Sequence, residues 1–276
     1  MKEKFRARPI YLVPILATLA VGVTLTYLSQ ILQTETYAVT PFPEGPAGSL
    51  GNGVYFVVLA AVGAFILYLL MKRKQLKVIV LITGFALTAA TFLLSVVYLW
   101  PLLSIIDATA APLLVVALAI VLTAIFDFVI FRTKGLSYDI AVLLLGGALG
   151  AFLSMSIDPL SAVLILTLLA IYDIYAVFRG PVGKIAEGGL EKLRGLSLPF
   201  MDIQIGLGDL TFYSMLVSLV LANADPIFCI FSAIGVVAGS FIAFKMLERK
   251  GIFPGLPFPV FLGLVPFLVS IALSLH

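Results

Sequence analysis

Residues 159–178 read PLSAVLILTLLAIYDIYAVF, twenty residues carrying a single charged side chain, Asp173. In a helix rising 1.5 Å per residue this run is ~30 Å long, which matches the hydrocarbon thickness of a bilayer. A carboxylate at that depth is costly and is kept where it has a task. A second aspartate, Asp209, follows Gly206-Leu207-Gly208 at the start of the next apolar run. The question is whether the two share one site.

Outward from this run the whole chain has the same character. Of its 276 residues 62% are hydrophobic and 11% charged, and the mean hydropathy is +1.20, values foreign to a soluble domain. Nine runs are long and apolar enough to cross: Pro9–Leu32, Val54–Met71, Val78–Trp100, Ala108–Phe131, Leu136–Ile157, Pro159–Phe178, Ile203–Ala222, Pro226–Met246 and Pro254–Leu275. The reading is an all-α polytopic membrane domain over residues 1–276. It divides loosely into spans 1–5 (residues 1–157) and spans 6–9 (residues 158–276). The first run exceeds the ~7–15 residues of a signal-peptide core, so it is expected to stay as a helix.

Charge gives the expected orientation. All 17 Lys and Arg fall in five clusters, at the N-terminus and at every second connection: Lys2–Arg8, Lys72–Lys77, Arg132 and Lys134, Arg179–Arg194, and Lys245–Lys250. The intervening connections carry none. The positive-inside rule then places the N-terminus in the cytoplasm and the C-terminus outside. The net charge of +3 belongs to these basic loops facing an anionic membrane surface, and carries no sign of nucleic-acid binding. Cys229 is the single cysteine and His276 the single histidine, so disulfide and metal chemistry have little to draw on.

Asp173 lies six residues before Arg179, ~9 Å below the cytoplasmic boundary, and Asp209 lies seven after Asp202, where the chain re-enters, at a depth of ~10 Å. Spans six and seven run antiparallel and neighbouring helices pack ~8–10 Å apart, so the two side chains can meet at one level. Two facing carboxylates in a low-dielectric site do not both ionise readily and hold one proton between them. That state suits amide hydrolysis, with one carboxylate taking a proton from water and the other polarising the carbonyl. The plainer alternative is that each aspartate pairs separately, with a snorkelling Lys or Arg or with a hydroxyl.

The segment Tyr172-Asp173 resembles the Tyr-Asp motif of presenilins and signal peptide peptidases, and Gly206-Leu207-Gly208-Asp209 their Gly-x-Gly-Asp motif. Leu210-Thr211-Phe212-Tyr213-Ser214 is similar to the presenilin branch. Pro254-Gly255-Leu256 stands where that family carries Pro-Ala-Leu. The resemblance implies an intramembrane aspartyl protease with Asp173 and Asp209 as catalytic residues. Tyr172, Gly206, Leu207, Gly208, Pro254, Gly255 and Leu256 would support the site or hold substrate. It implies no metal or organic cofactor. The partners it implies are transmembrane segments of other membrane proteins and lipids, without nucleic acid, at the cell membrane; a homo-oligomer stays open. Pro254, Pro257 and Pro259 with Gly255 predict an unwound start to span nine, and Gly for Ala is expected to be a mild change.

Other residues have plainer readings. Asp127 fits a polar contact near the cytoplasmic interface, and Asp107, Asp139 and Asp158 lie at boundaries. Tyr98 and Trp100 read as an aromatic belt. Gly146-x-x-x-Gly150 and Gly235-x-x-x-Gly239 read as helix packing. Tyr172 fits equally a contact near the dyad and an interfacial anchor. The connection Arg179–Asp202 reads as a basic loop that partly rests on the membrane. Two rival functions, a proton-coupled transporter or channel and a non-catalytic scaffold, also use intramembrane carboxylates or helix grooves.

Overall fold

The computed structural model describes residues 6–34, 37–106, 109–180 and 194–274. Among them are nine α-helices. A 3-10 turn at Pro9–Leu12 leads into α1 (Val13–Ile31), followed by α2 (Pro46–Lys72), α3 (Leu76–Ile106), α4 (Ala111–Arg132), α5 (Leu136–Ser156) and α6 (Pro159–Phe178). A hairpin of β1 (Ser197–Phe200) and β2 (Ile203–Gly206) then opens α7 (Leu207–Asn223), which α8 (Pro226–Lys250) and α9 (Pro257–Ser274) follow. The nine helices match the nine expected spans in number and order, although α2 begins at Pro46, eight residues before the expected Val54. Eight of them are long and apolar enough to cross a membrane, and α7, at 17 residues, is shorter. The chain is a multi-pass membrane protein.

Away from their ends helices satisfy their backbone groups internally, as a spanning segment must. Proline stands in the first turn of α2, α4, α6 and α8, where its missing N–H has no intrahelical partner to lose. Buried hydroxyls turn back onto their own helix: Thr18 donates to the Pro14 carbonyl, Thr83 to Ile79, Thr123 to Ala119 and Thr211 to Leu207. The outer faces are apolar, with Leu81, Phe85 and Leu113 each more than 70% exposed. In water such a surface would aggregate; in a bilayer it is the lipid-facing side.

The core is centred on α7. Leu210, Met215, Leu216, Leu219 and Val220 are fully buried there, on more than one face, as expected of a helix enclosed by others. Helix α5 packs along α7 through the Gly146–Gly150 face. A Cβ added at Gly150 would stand 2.6 Å from the Met215 amide, and the Ser214 hydroxyl donates to the Gly147 carbonyl at 3.0 Å. Gly235 and Gly239 of α8 likewise lie against the backbone of Leu262 and Phe258 in α9. Both small-residue patterns are packing faces.

Four details depart from the sequence reading. Span seven starts at Leu207 rather than Ile203, because Ile203–Gly206 pairs antiparallel with Ser197–Phe200 (Ser197 opposite Gly206, Phe200 opposite Ile203). The fold therefore contains two short strands beside its helices, and Asp209 lies in a first helical turn instead of two turns deep. Tyr98 is not a belt residue: α3 continues to Ile106, and the Tyr98 hydroxyl donates to the Ala148 carbonyl at 2.8 Å. Leu198, read as part of a loop resting on the membrane, is fully buried in the hairpin. Residues 181–193 of that connection, with Asp107 and His276, lie outside the described residues.

Candidate active site

Asp173 sits near the end of α6, half-buried. Its Oδ2 accepts from the Leu256 amide at 3.0 Å, and the Gly255 amide is close enough to contribute. Asp209, half-buried in the first turn of α7, has the Gly206 amide beside it. Its carboxylate rests on Gly255, where an added Cβ would stand 2.7 Å from Oδ2 and 3.1 Å from Cγ. Two aspartates from adjacent antiparallel helices thus converge on one dipeptide, Gly255-Leu256.

That dipeptide belongs to a non-helical stretch between α8 and α9. Gly251, with φ +78°, closes α8 in the left-handed conformation, and α9 begins only at Pro257. The unwound start expected from the prolines is present. Pro254 and Leu256 are buried. Phe253 stacks on Phe258 with centroids 5.6 Å apart and meets Phe178 edge-on at 6.3 Å, which ties the stretch to the end of α6.

Tyr213 completes the hold. One helical turn after Asp209 and on its face, it donates to the Gly255 carbonyl at 2.8 Å. Ser240 of α8 lies within hydrogen-bond reach of Tyr213 and donates to the Val236 carbonyl. Asp209, Tyr213, Ser240, Gln204 and Gly255 border a cavity of about 90 Å³, room for a few waters. Among the described residues neither aspartate has a Lys or Arg partner. Among the described residues the one Lys or Arg ion pair with a carboxylate is Lys245 with Glu248, away from both aspartates.

The remaining expected residues fall around this centre with unequal parts. Gly206 is the N-cap of α7, Leu207 is buried and donates its amide to the Leu196 carbonyl at 2.9 Å, and Gly208 is exposed. Tyr172 is half-buried beside Asp173 and makes no hydrogen bond to a described residue. Asp158 caps α6, accepting from the Leu160 and Ser161 amides, and Asp127 accepts from Thr88 at 2.7 Å. Tyr213 and Ser240 were not singled out from the sequence. Spacing of four from Asp209 was the signal for Tyr213, whereas nothing marked Ser240 among the apolar residues of its span.

Two carboxylates that meet one unwound dipeptide, with a small cavity beside Asp209, can carry acid–base chemistry. No protein-family model matches the chain. Presenilin-B of Dictyostelium discoideum is 32% identical over 120 residues, which cover 38% of this chain and 24% of Presenilin-B, so the match spans about a quarter of that protein's length. Two solved structures of a presenilin-family intramembrane aspartate protease, in C222 and P2 crystals, superpose over 95% of this chain and 97% and 96% of theirs. Their TM-scores are 0.64 and 0.60, at 18% and 21% identity. The chain has the fold of the presenilin-family intramembrane aspartate proteases and a sequence that is presenilin-like over 38% of its length.

Proposed function

We propose that the protein is an intramembrane aspartyl endopeptidase, with Asp173 and Asp209 as its catalytic pair. The observation that carries this reading is the convergence of both carboxylates on Gly255-Leu256, without a Lys or Arg partner among the described residues. In the working state one carboxylate is ionised and takes a proton from a water molecule in the cavity beside Asp209. That water attacks the scissile carbonyl carbon while the protonated partner donates its proton to the carbonyl oxygen. The tetrahedral diol then collapses: the C–N bond breaks, the nitrogen takes a proton from the pair, and an acid and an amine leave.

The substrates are transmembrane segments of other proteins. A spanning helix hides its amides within its own hydrogen bonds, so it must unwind locally before water reaches a carbonyl. The opened segment pairs with those backbone groups of the unwound stretch Gly251–Leu256 that Asp173, Tyr213 and the first turn of α9 do not already hold. By likeness to presenilins, the N-terminus is cytoplasmic and substrates present a cytoplasmic C-terminus. Residues Tyr172, Gly206–Gly208 and Pro254–Leu256 shape the site, lipids surround it, and the setting is the cell membrane.

Binding of a transition-state isostere tests this directly. A peptide with a hydroxyl-bearing tetrahedral carbon in place of the scissile carbonyl should bind the purified protein and lose at least ~100-fold affinity in Asp173→Ala or Asp209→Ala. Equal affinity in wild type and both variants would remove the pair from the site.

A further inference from the structure

We propose that Tyr138 and Arg194 are positioning residues for Asp209, acting through the β1–β2 hairpin; this rests on the reading of Asp209 as a catalytic carboxylate. Asp209 is carried by the first turn of α7, whose leading amides have no side-chain cap. The N-cap residue is Gly206, which has no side chain to cap with. What holds the start of α7 is the hairpin. Gly206 is paired with Ser197 in the ladder, and the Leu207 amide donates to the Leu196 carbonyl at 2.9 Å.

Tyr138, near the start of α5, grips the residues on either side of Leu196. Its hydroxyl donates to the Ser197 carbonyl at 2.8 Å and accepts from the Gly195 amide at 2.9 Å, and all three groups are buried. Leu196, the acceptor for α7, is therefore bracketed by two bonds to one phenol. Gly195 can make this turn because its φ is +81°, and a Cβ added there would collide with the Leu87 and Ile130 side chains.

Arg194 closes the other end. Its guanidinium donates to the Phe131 and Thr133 carbonyls at the C-terminal end of α4, the first at 2.7 Å, and lies 5.7 Å from the centroid of the Tyr138 ring. Helices α4 and α5 thus form a mount, the hairpin is the arm, and Asp209 is three residues beyond its last ladder pair. A plain loop staple would need neither the bracketing of Leu196 nor the bond that passes from Leu196 into the catalytic helix.

The test uses Tyr138→Phe and Arg194→Lys in the full-length protein in detergent. It combines cleavage kinetics on a single-span reporter with hydrogen-exchange mass spectrometry. Tyr138→Phe removes one oxygen and strands two buried backbone groups. The expected result is a roughly tenfold fall in kcat, KM within about twofold, and roughly tenfold faster exchange at Gly206–Asp209, with α8 and α9 unchanged. Arg194→Lys, which keeps the charge and loses the two-carbonyl geometry, should give a smaller change in the same direction. Unchanged exchange at Leu207 in folded Tyr138→Phe overturns the proposal, as does an even rise in exchange across all helices, which marks general loss of stability. If Tyr138→Phe does not fold, Arg194→Lys decides by the same two readouts. A wild-type protein that cleaves nothing counts against the protease reading alone, because exchange at Leu207 still judges the mount.

Discussion

Replacing Gly255 by alanine adds one methyl group to the segment that both aspartates touch. The new Cβ would stand 2.7 Å from Asp209 Oδ2, where an ordinary contact begins near 3.4 Å, so the carboxylate has to retreat by about 0.7 Å. Its retreat is away from the dipeptide whose amide holds Asp173 at 3.0 Å. Misplacing a reacting group by ~1 Å costs on the order of 10²-fold in rate, so a ten- to fiftyfold loss in kcat is expected, roughly 1.4–2.3 kcal/mol in barrier. Stability should hardly move. Gly255 does not occupy the left-handed region, and alanine there removes unfolded-state freedom worth about 0.4–1 kcal/mol, which offsets the displaced carboxylate. The assay is cleavage of a saturating single-span reporter by purified protein, beside a thermal melt. Gly63→Ala is the control, since an added Cβ there meets nothing within 4 Å. Full kcat in a folded Gly255→Ala protein would refute the reasoning, since Asp209 could not then work from the place it occupies against Gly255. Alanine is what presenilin-like motifs carry here, so the expected mildness of Gly for Ala and the geometry of this chain give opposite forecasts.

Tyr213→Phe leaves the Gly255 carbonyl without its donor and should cost about 1–2 kcal/mol in unfolding free energy together with a fall in kcat, read by melts and kinetics side by side. An unchanged kcat would mean that the tyrosine braces the fold only. Activity against pH should be bell-shaped, because acid protonates the carboxylate that serves as base and alkali strips the proton from its partner; a flat profile across both limbs would count against a shared proton. Met201→Gly at the hairpin tip, where a non-glycine residue sits at φ +51°, should raise stability by about 1 kcal/mol without loss of activity, measured by urea or thermal unfolding.

Nine helices were legible because lipid-facing and core-facing residues are both apolar, so each span is one unbroken run with polar or basic ends. The same property hid the hairpin. Ile203-Gln204-Ile205-Gly206 is mostly apolar and runs straight into α7, and four residues are too few for a period of two to stand apart from a helix. Asp173 and Asp209 were visible because a carboxylate in an apolar run is rare, and the family motif marked Gly255. Tyr213 and Tyr138 were not marked, since a tyrosine in a membrane helix reads as an interfacial anchor until its hydroxyl is seen to reach a carbonyl on another element. Tyr98 was misread for the same reason: its partner, the Ala148 carbonyl, lies 50 residues away. Long-range backbone partners leave no trace in local pattern.

The most direct measurement is cleavage of a single-span reporter by purified protein in detergent, wild type beside Asp209→Asn, with products mapped by mass spectrometry. A catalytic pair at Asp173 and Asp209 predicts cuts inside the transmembrane segment that vanish in the variant while its melting profile is retained. The same cuts at the same rate in Asp209→Asn would contradict it.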